Sequence, residues 1–455
     1  MRYLSPDADE LSGRHPGRPL QGPAGTAQGE LLRTVAGSSS DAAQPDGSPV
    51  LRAAARFLNS LSDSRAIGVA ISGGSDSTGL LSALCRSAGH GRIVALTVDH
   101  GLRPQSGAEA KHVAGLAERL GARHETLHWL GAKPKTGIQA AARQARYALL
   151  SGAARRLDLC AIVTAHTAGD QAETLAMRQA RSSEGEGLTG IPPATLYDEA
   201  VWFLRPFLHL SRAAIRAHLS ASGLGWIDDP SNGDRRFERV RLREAGVAAE
   251  NLTARWRSRT QRAAEAGEAI GARAVRDEDD LFRFDLSGLD RDLALDCLRS
   301  LIDMAGGRAR GLDRHGRERL GELLDGSDVG RLTVGRVLIQ HRGSDIALRR
   351  ERRNVAEISI EPGRRILWDG RYRIENRDPV ECLSIAGGGR YGISPELVRK
   401  GDGSGAPEIA RSCGRLSRLM PVFEAARADA LGGLAGRMRF PRCPWRDWMA
   451  VGEPI

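Results

Sequence analysis

Between about residues 51 and 210, short apolar runs alternate with stretches whose apolar residues recur at helical spacing. The apolar runs predict β-strands at 67–71, 93–98, 124–129, 159–164 and 201–207. The stretches around them predict helices at 51–61, 77–88, 106–120, 138–157, 168–181 and 211–222. Regular alternation of strands and helices is typical of an α/β domain, in which a parallel sheet has helices on both faces.

The pattern changes on either side of this region. Residues 1–48 are rich in Gly, Pro, Ser and Ala and lack apolar periodicity, so we expect a disordered extension. The stretch from 233 to 325 is helical and charged, whereas residues 331–349 alternate like strands. A break at 361–363 precedes another β-like run. These changes predict an α/β domain over 49–232, a helical middle domain over 233–355 and a small α+β domain over 356–455.

A glycine-rich turn lies between the first predicted strand and the helix that follows it. Its residues are Ser72, Gly73, Gly74, Ser75, Asp76 and Ser77. At a helix N-terminus such a turn directs backbone N–H groups outward, and the helix dipole adds partial positive charge, so phosphate groups bind there. Asp76 is placed to hold a metal ion that bridges phosphates. The turn contains no lysine, which excludes the Walker type of phosphate loop.

Two further polar segments follow predicted strands, at the edge of the sheet where α/β proteins bind ligands. Asp99 and His100 come after the second strand, where they either border the adenine and ribose of a nucleotide or simply form a turn. His166 and Asp170 come after the fourth strand. They are candidates for proton transfer and metal binding, although a carboxylate at a helix N-terminus also serves as a cap.

Two arginine clusters are candidates for contacts with phosphate or RNA. Arg143 and Arg146 lie on one predicted helix, where they form either a clamp for a phosphate or base or a solvated face. Beyond a turn at 228–232, a dense cationic run includes Arg239, Arg241 and Arg243. This run is either an RNA-backbone site or a solvated charge run.

Composition narrows the class of protein. The formal net charge is +10, which favours a polyanionic partner. The 6 cysteines are scattered without a Cys-x-x-Cys pair, which argues against a zinc or iron–sulfur site and suits a reducing cytoplasm. No apolar run approaches the roughly 20 residues that span a bilayer. We therefore expect a cytoplasmic protein that binds nucleic acid.

Taken together and in this order, the motifs resemble those of the tRNA(Ile)-lysidine synthetase family, part of the PP-loop ATP pyrophosphatase superfamily. The resemblance extends from about residue 64 to 245 and is weaker beyond. It rests on the glycine-rich turn and on segments 98–103, 142–147, 164–174, 205–207 and 229–232 with the arginines that follow. It implies a PP-loop ATPase domain at 49–232 and tRNA-binding roles for 233–355 and 356–455.

The resemblance implies a two-step ligation that requires ATP and Mg²⁺. ATP adenylates O2 of the wobble cytidine in the CAU anticodon of isoleucine tRNA, and the ε-amine of free L-lysine then displaces AMP to give lysidine. In this scheme residues 72–77 hold the pyrophosphate, with Asp99 and His100 at the nucleotide. Asp76 and Asp170 are the expected Mg²⁺ ligands. The remaining implied roles are catalysis by Asp76, His166, Asp170, Arg143 and Arg146, and tRNA contact by Arg239, Arg241 and Arg243.

The chain departs from the family pattern at Thr167 and Gly169, where many members have His and Asp.

Three other functions are alternatives to lysidine synthesis. A PP-loop tRNA thiolase would use catalytic or cluster-binding cysteines, yet Cys85 and Cys160 are unpaired in sequence. A catalytically silent ATP- and RNA-binding protein is suggested by the two departures and opposed by the retained Asp76, His166 and Asp170. An amidating synthetase would need a glutaminase partner or domain to supply ammonia, and no such domain is evident in the sequence. Whether the chain acts as a monomer or a homodimer stays open.

Overall fold

The computed structural model describes residues 47–89, 91–102, 106–179, 189–228, 252–308, 311–326, 329–398, 407–413, 419–436 and 440–452. These residues fall into two compact units. The first unit extends to Arg257 and also includes the segment from Arg442 onward, and the second runs from Ser258 to Pro441. The predicted disorder of the N-terminal extension concerns residues that lie almost wholly outside the described ranges. The predicted boundaries near 48, 232 and 355 stay predictions.

The first unit contains every strand and helix that the hydrophobic pattern predicted for it. Its strands are β1 (Ile67–Ala70), β2 (Ile93–Asp99), β3 (Arg123–His128), β4 (Ala161–Val163), β5 (Ala194–Tyr197) and β6 (Val201–Leu204). Its helices are α1 (Pro49–Asn59), α2 (Ser75–Ser87), α3 (Ser106–Arg119), α4 (Ile138–Arg156), α5 (Ala168–Gln179) and α6 (Arg212–Ala221). Of the strands and helices just named, β5 alone was not predicted. The strand expected at 201–207 ends at Leu204, before Pro206, which cannot donate to a sheet.

Within the first unit the strands follow one another in the order β5-β6-β4-β1-β2-β3. β3, β2, β1, β4 and β6 pair in parallel, and β5 forms an antiparallel hairpin with β6. The chain runs from β1 through β2 to β3 and then crosses to β4 on the other side of β1, so the strand order reverses between β1 and β4. In open α/β sheets, ligands bind beyond the carboxyl ends of the strands at such a reversal. The loops after β1 and β4 therefore mark the expected site.

The second unit combines helices with antiparallel sheets. Helix α7 (Leu252–Arg273) enters it from the first unit, and α8 (Arg291–Gly306), α9 (Arg314–Asp325) and α10 (Ala425–Leu434) belong to it. A five-stranded sheet has the order β7-β8-β11-β10-β9. Its strands are β7 (Ala274–Arg276), β8 (Phe282–Asp285), β9 (Val329–Val334), β10 (Val337–Arg342) and β11 (Asp345–Arg350). The predicted helical stretch thus also contains β7 and β8, which are separated by a charged run at 276–280 and so lack the apolar run that predicts a strand.

The second unit also contains two small sheets. One has the order β12-β15-β16 and the other β13-β14-β17. Their strands are β12 (Ile358–Ile360), β13 (Arg365–Trp368), β14 (Tyr372–Glu375), β15 (Leu383–Gly388), β16 (Ser394–Leu397) and β17 (Glu408–Arg411). The short strand β18 (Leu419–Pro421) belongs to neither of them. The β-like run after the break at 361–363 is the β13–β14 hairpin, so this prediction is confirmed.

A small cavity of the first unit provides a test of pH dependence. His209 lines it together with Arg56 of α1 and Asp447. Among the described residues, neither ring nitrogen of His209 has a hydrogen-bond partner. Burial, assisted by the charge of Arg56, lowers the pKa of His209 to about 4. The imidazole is therefore held in its neutral form.

We expect this histidine to make the first unit less stable as the pH falls from about 6.5 towards 4. In this range the imidazole is protonated in the unfolded chain, where its pKa is about 6.5, but stays neutral in the folded protein. At pH 5 the loss should be about 2 kcal/mol relative to pH 7.5. Urea unfolding of the wild type and of His209→Gln at both pH values measures it. Equal losses in the two proteins would contradict the prediction, since all other titrating groups are shared.

Candidate active site

The turn after β1 has the geometry of a phosphate-binding loop. Gly73 has a φ of +85°, which L side chains rarely adopt, and a Cβ there would lie 2.7 Å from Cδ1 of Ile227, so a larger residue would be strained. The Ser77 hydroxyl accepts a hydrogen bond from Ser72 N at 3.2 Å and donates to Gly74 O at 3.1 Å. Helix α2 begins at Ser75, and its N-cap, Gly74, provides no capping side chain. The first-turn N–H groups are thus not satisfied by a capping side chain, as an anion site requires.

Asp76, the acidic residue of this loop, forms an ion pair that the sequence did not predict. Arg212 donates from Nε to Oδ1 and Oδ2 of Asp76 at 3.2 and 2.9 Å, and from Nη2 to Oδ2 at 2.8 Å. Burial works to lower the pKa of the Arg212 guanidinium, but hydrogen bonding to Asp76 and the charges of Asp76, Asp170 and Glu173 raise it. Arg212 thus brings the loop after β1 and the helix after β4 into one electrostatic environment.

The segment after β4 holds the predicted His166 and Asp170 in defined positions. His166 Nδ1 lies 3.0 Å from the hydroxyl of Thr164. Oδ2 of Asp170 accepts from Thr167 N at 2.8 Å and from the Thr167 hydroxyl at 3.0 Å. Thr167, fully buried before the start of α5, therefore holds this carboxylate in place. The capping alternative for Asp170 is thus observed, and both of these hydrogen bonds are accepted by Oδ2 of the carboxylate.

The segment after β2 places the predicted Asp99 and His100 beside aromatic and basic groups. Asp99 Oδ1 accepts from Gly101 N at 2.8 Å. Burial tends to raise the pKa of Asp99, but hydrogen bonds from Gly101 and Ser106 and the nearby His128 keep it below its usual value. Burial, with the charge of Arg146, lowers the pKa of His100. His100 packs edge-on against Trp129, with ring centroids 5.9 Å apart.

Helix α4 carries the predicted Arg143 and Arg146, which lie near a buried tyrosine. Arg143 Nη2 donates to the hydroxyl of Tyr147 at 3.2 Å, and Arg205 Nη2 lies 3.5 Å from the same oxygen. Burial would raise the pKa of Tyr147, but Arg205, Arg143 and Arg146 together lower it. The positive charge of Arg146 also contributes to the lowered pKa of His100, which follows β2. Arg146 therefore lies close enough to His100 for their charges to interact.

Some predicted residues cannot be placed. Arg239, Arg241 and Arg243 lie outside the described residues, as do Arg103 and the segment 229–232. The expected tRNA contacts of these arginines stay predictions. Within the described part of the chain, no cluster of three or more His, Cys, Asp or Glu side chains could hold a metal ion by itself. In the same part, no helix combines the length and hydropathy needed to cross a membrane.

Sequence reasoning missed Arg212 and Thr167 as members of the site. Arg212 is 136 residues away from its partner Asp76, and no local pattern signals that contact. Thr167 could have been found, because a threonine three residues before a carboxylate at a helix start is a capping pattern. The departure of the chain at Thr167 therefore has a structural role that the sequence already contained.

The chain is similar to known proteins over most of its length. A family model described as a PP-loop domain matches residues 48–249. The chain is 37% identical over 444 residues to a tRNA(Ile)-lysidine synthase from Rhizobium meliloti, covering 88% of this chain and 98% of that one. It is 37% identical over 428 residues to a tRNA(Ile)-lysidine synthase from Mesorhizobium japonicum, covering 82% and 93%. A solved U34-tRNA thiolase from Methanococcus maripaludis is 14% identical with a TM-score of 0.36, covering 43% of this chain and 70% of that chain.

Proposed function

Since the chain belongs to the tRNA(Ile)-lysidine synthase family, we propose that it joins free L-lysine to C2 of the wobble cytidine in the CAU anticodon of isoleucine tRNA. ATP first adenylates O2 of that cytidine and releases pyrophosphate. The ε-amine of lysine then attacks C2, and AMP leaves with the oxygen. The chain is thus a ligase that forms a C–N bond at the expense of ATP.

The observation that carries this proposal is similarity over almost the whole chain, joined to an intact phosphate-binding loop. The match to the Rhizobium meliloti relative covers 98% of that protein, so it includes both units. The match at residues 48–249 covers the loop itself, which supports ATP as the nucleotide. Identity at this level over this length favours lysidine synthesis over the thiolase alternative.

In the proposed reaction the loop after β1 binds the polyphosphate of ATP. Its uncapped helix N-terminus and its serine hydroxyls supply donors for phosphate oxygens. Mg²⁺ commonly binds one or two carboxylates together with substrate phosphates, and Asp76 and Asp170 fit that donor set. When bound, Mg²⁺ would neutralise charge on the phosphates. Arg143 and Arg146 are the proposed contacts of the cytidine, and Arg239, Arg241 and Arg243 those of the tRNA backbone.

The second step needs a deprotonated amine. A free lysine side chain has a pKa near 10.4, so it is almost wholly protonated at neutral pH. His166 and Asp170 both lie at the carboxyl end of β4, next to the loop after β1. We propose that one of them accepts the proton as the amine attacks. Thr167 fixes the carboxylate of Asp170 by two hydrogen bonds and so positions it for that task.

Incorporation of labelled lysine tests the proposal directly. Purified protein is incubated with ATP, Mg²⁺ and radiolabelled lysine, together with an isoleucine-tRNA transcript that bears a CAU anticodon. A methionine tRNA with the same anticodon serves as the control substrate. Label in the isoleucine tRNA alone is the expected result. Binding of ATP and tRNA without any label would instead favour the silent-binder alternative.

For the proton acceptor, we expect Asp170→Ala or His166→Ala to slow lysine transfer by about 100-fold or more, the usual contribution of general base catalysis. The adenylated tRNA is formed first without lysine, and lysine is then added in a single turnover, so that adenylation serves as the internal control. The slower variant should also shift the pH profile of transfer. If neither substitution lowers the single-turnover rate, the assignment of a proton acceptor to this pair is wrong.

A further inference from the structure

We propose that Arg212 supplies the phosphate-binding cation that the loop at 72–77 lacks in its own sequence. Without nucleotide this guanidinium is held by Asp76, and with nucleotide it exchanges the carboxylate for the polyphosphate of ATP. The inference rests on the proposed function insofar as that function makes ATP the ligand. It adds to that function a substrate-contact residue from outside the matching motifs.

The position of Arg212 fits this role. It is the first residue of α6, whose N-terminus is capped by the Ser211 side chain, so its backbone is fixed. Its side chain crosses to the first turn of α2 and is 31% exposed, whereas Asp76 is 18% exposed. The guanidinium is therefore partly exposed to solvent rather than buried in the core. A second arginine, Arg216, lies one turn further along α6, with Nε 3.5 Å from the hydroxyl of Ser75.

The chemistry of the contact explains why one cation can serve two partners. A guanidinium presents a planar fork of donors that matches both a carboxylate and a phosphate. Arg212 uses Nε and Nη2 on Asp76, which is the same pair of donors that a phosphate would take. The fork cannot serve both partners fully at once. Binding of a phosphate thus competes directly with the ion pair.

The carboxylates around Arg212 explain why an incoming polyphosphate needs this guanidinium. Asp76, Asp170 and Glu173 all act on its guanidinium, so the ligand-free site is rich in carboxylates. A polyphosphate entering this site would be repelled unless a cation lay between it and the carboxylates. Arg212 is already at that place. Once it turns to the phosphates, the carboxylate of Asp76 is released and becomes available to a divalent cation.

Equilibrium binding without metal tests the exchange and needs neither tRNA nor lysine. Calorimetric titrations in EDTA compare ATP with adenosine, which lacks phosphates. We expect Arg212→Gln to weaken ATP binding by about 10- to 100-fold, the effect of losing a charged hydrogen bond, and to leave adenosine binding unchanged. Arg212→Lys should recover part of the ATP affinity, because lysine keeps the charge but not the fork. Asp76→Asn should bind metal-free ATP at least as tightly as the wild type, since Arg212 is already released.

Arg65→Gln is the matched control. Arg65 precedes β1, at the amino ends of the strands and so away from the loop, and like Arg212 it forms ion pairs with carboxylates, here those of Asp63 and Asp158. The Arg65→Gln variant should bind both ATP and adenosine with wild-type affinity. Wild-type ATP binding by Arg212→Gln, or an equal loss of ATP and adenosine, would overturn the inference. Weaker metal-free binding by Asp76→Asn would overturn the exchange.

The outcomes also separate this inference from the proposed function. A selective loss of ATP affinity in a protein that makes no lysidine would leave the phosphate contact standing while the function fails. Active lysidine synthesis by the wild type, joined to unaltered ATP binding by Arg212→Gln, would leave the function standing while the contact fails.

Discussion

Replacing Asp76 by alanine is expected to lower the rate of lysidine formation by at least about 100-fold, because a carboxylate that organises charge at the reacting phosphates is lost. The substitution also leaves the Arg212 guanidinium without the bidentate partner that holds it in the ligand-free protein. The loss should fall on the adenylation step, since the polyphosphate of ATP takes part only there. Lysine transfer to preformed adenylated tRNA should change much less.

The measurement is the labelled-lysine assay, run with saturating ATP and divided into its two steps. Asp158→Asn is the control, because Asp158 is an exposed carboxylate that pairs with an arginine near the amino ends of the strands, and asparagine tolerates its φ of +48°. A wild-type adenylation rate in Asp76→Ala would refute the role of the loop carboxylate. Equal loss in both steps would show instead that the substitution damages the fold.

The second large effect is expected on stability, at a buried charge cluster of the second unit. Asp280 lies in the turn between β7 and β8, is 1% exposed and accepts from Arg371 Nη1 at 2.8 Å and Arg411 Nε at 2.9 Å. Arg371 is fully buried and Arg411 is 2% exposed. Arg371 belongs to the β13–β14 turn and Arg411 ends β17, so the cluster joins two sheets within this unit. Burial, with the charge of Arg411, lowers the pKa of Arg371.

Asp280→Asn should therefore lower the free energy of unfolding of the second unit by about 3–5 kcal/mol, because it removes the buried carboxylate partner of Arg411 and leaves Arg371 with Asp369 alone. Asparagine is the appropriate substitute, since Asp280 has a φ of +63° and asparagine tolerates that conformation. Urea unfolding followed by circular dichroism measures the change. In Asp325→Asn, which breaks an exposed pair with Arg291, we expect a far smaller effect. Similar losses in the two variants would contradict a special cost of the buried cluster.

The elements that the sequence predicted best are those whose signals are local. The glycine turn at 72–77 was readable because strand, turn and helix follow one another directly along the chain. The meeting of the segments after β1 and β4 was also predictable, because the carboxyl ends of parallel strands share one edge of a sheet. The strands β7 and β8 were not predicted, because the charged residues at 276–280 separate them and leave no apolar run, whereas the equally short β4 lies within the apolar run at 159–164.

The sequence by itself determined the α/β alternation of the first unit, the phosphate-binding loop and the identity of the candidate residues at the strand ends. Each depends on residue type and spacing within about one structural element. The tertiary structure alone decided which charges meet. Arg212 reaches Asp76 across 136 residues, and Arg411 reaches Asp280 across 131. An ion pair between distant segments leaves no periodic trace in the chain, because it depends on how whole elements pack and not on the pattern within any one of them.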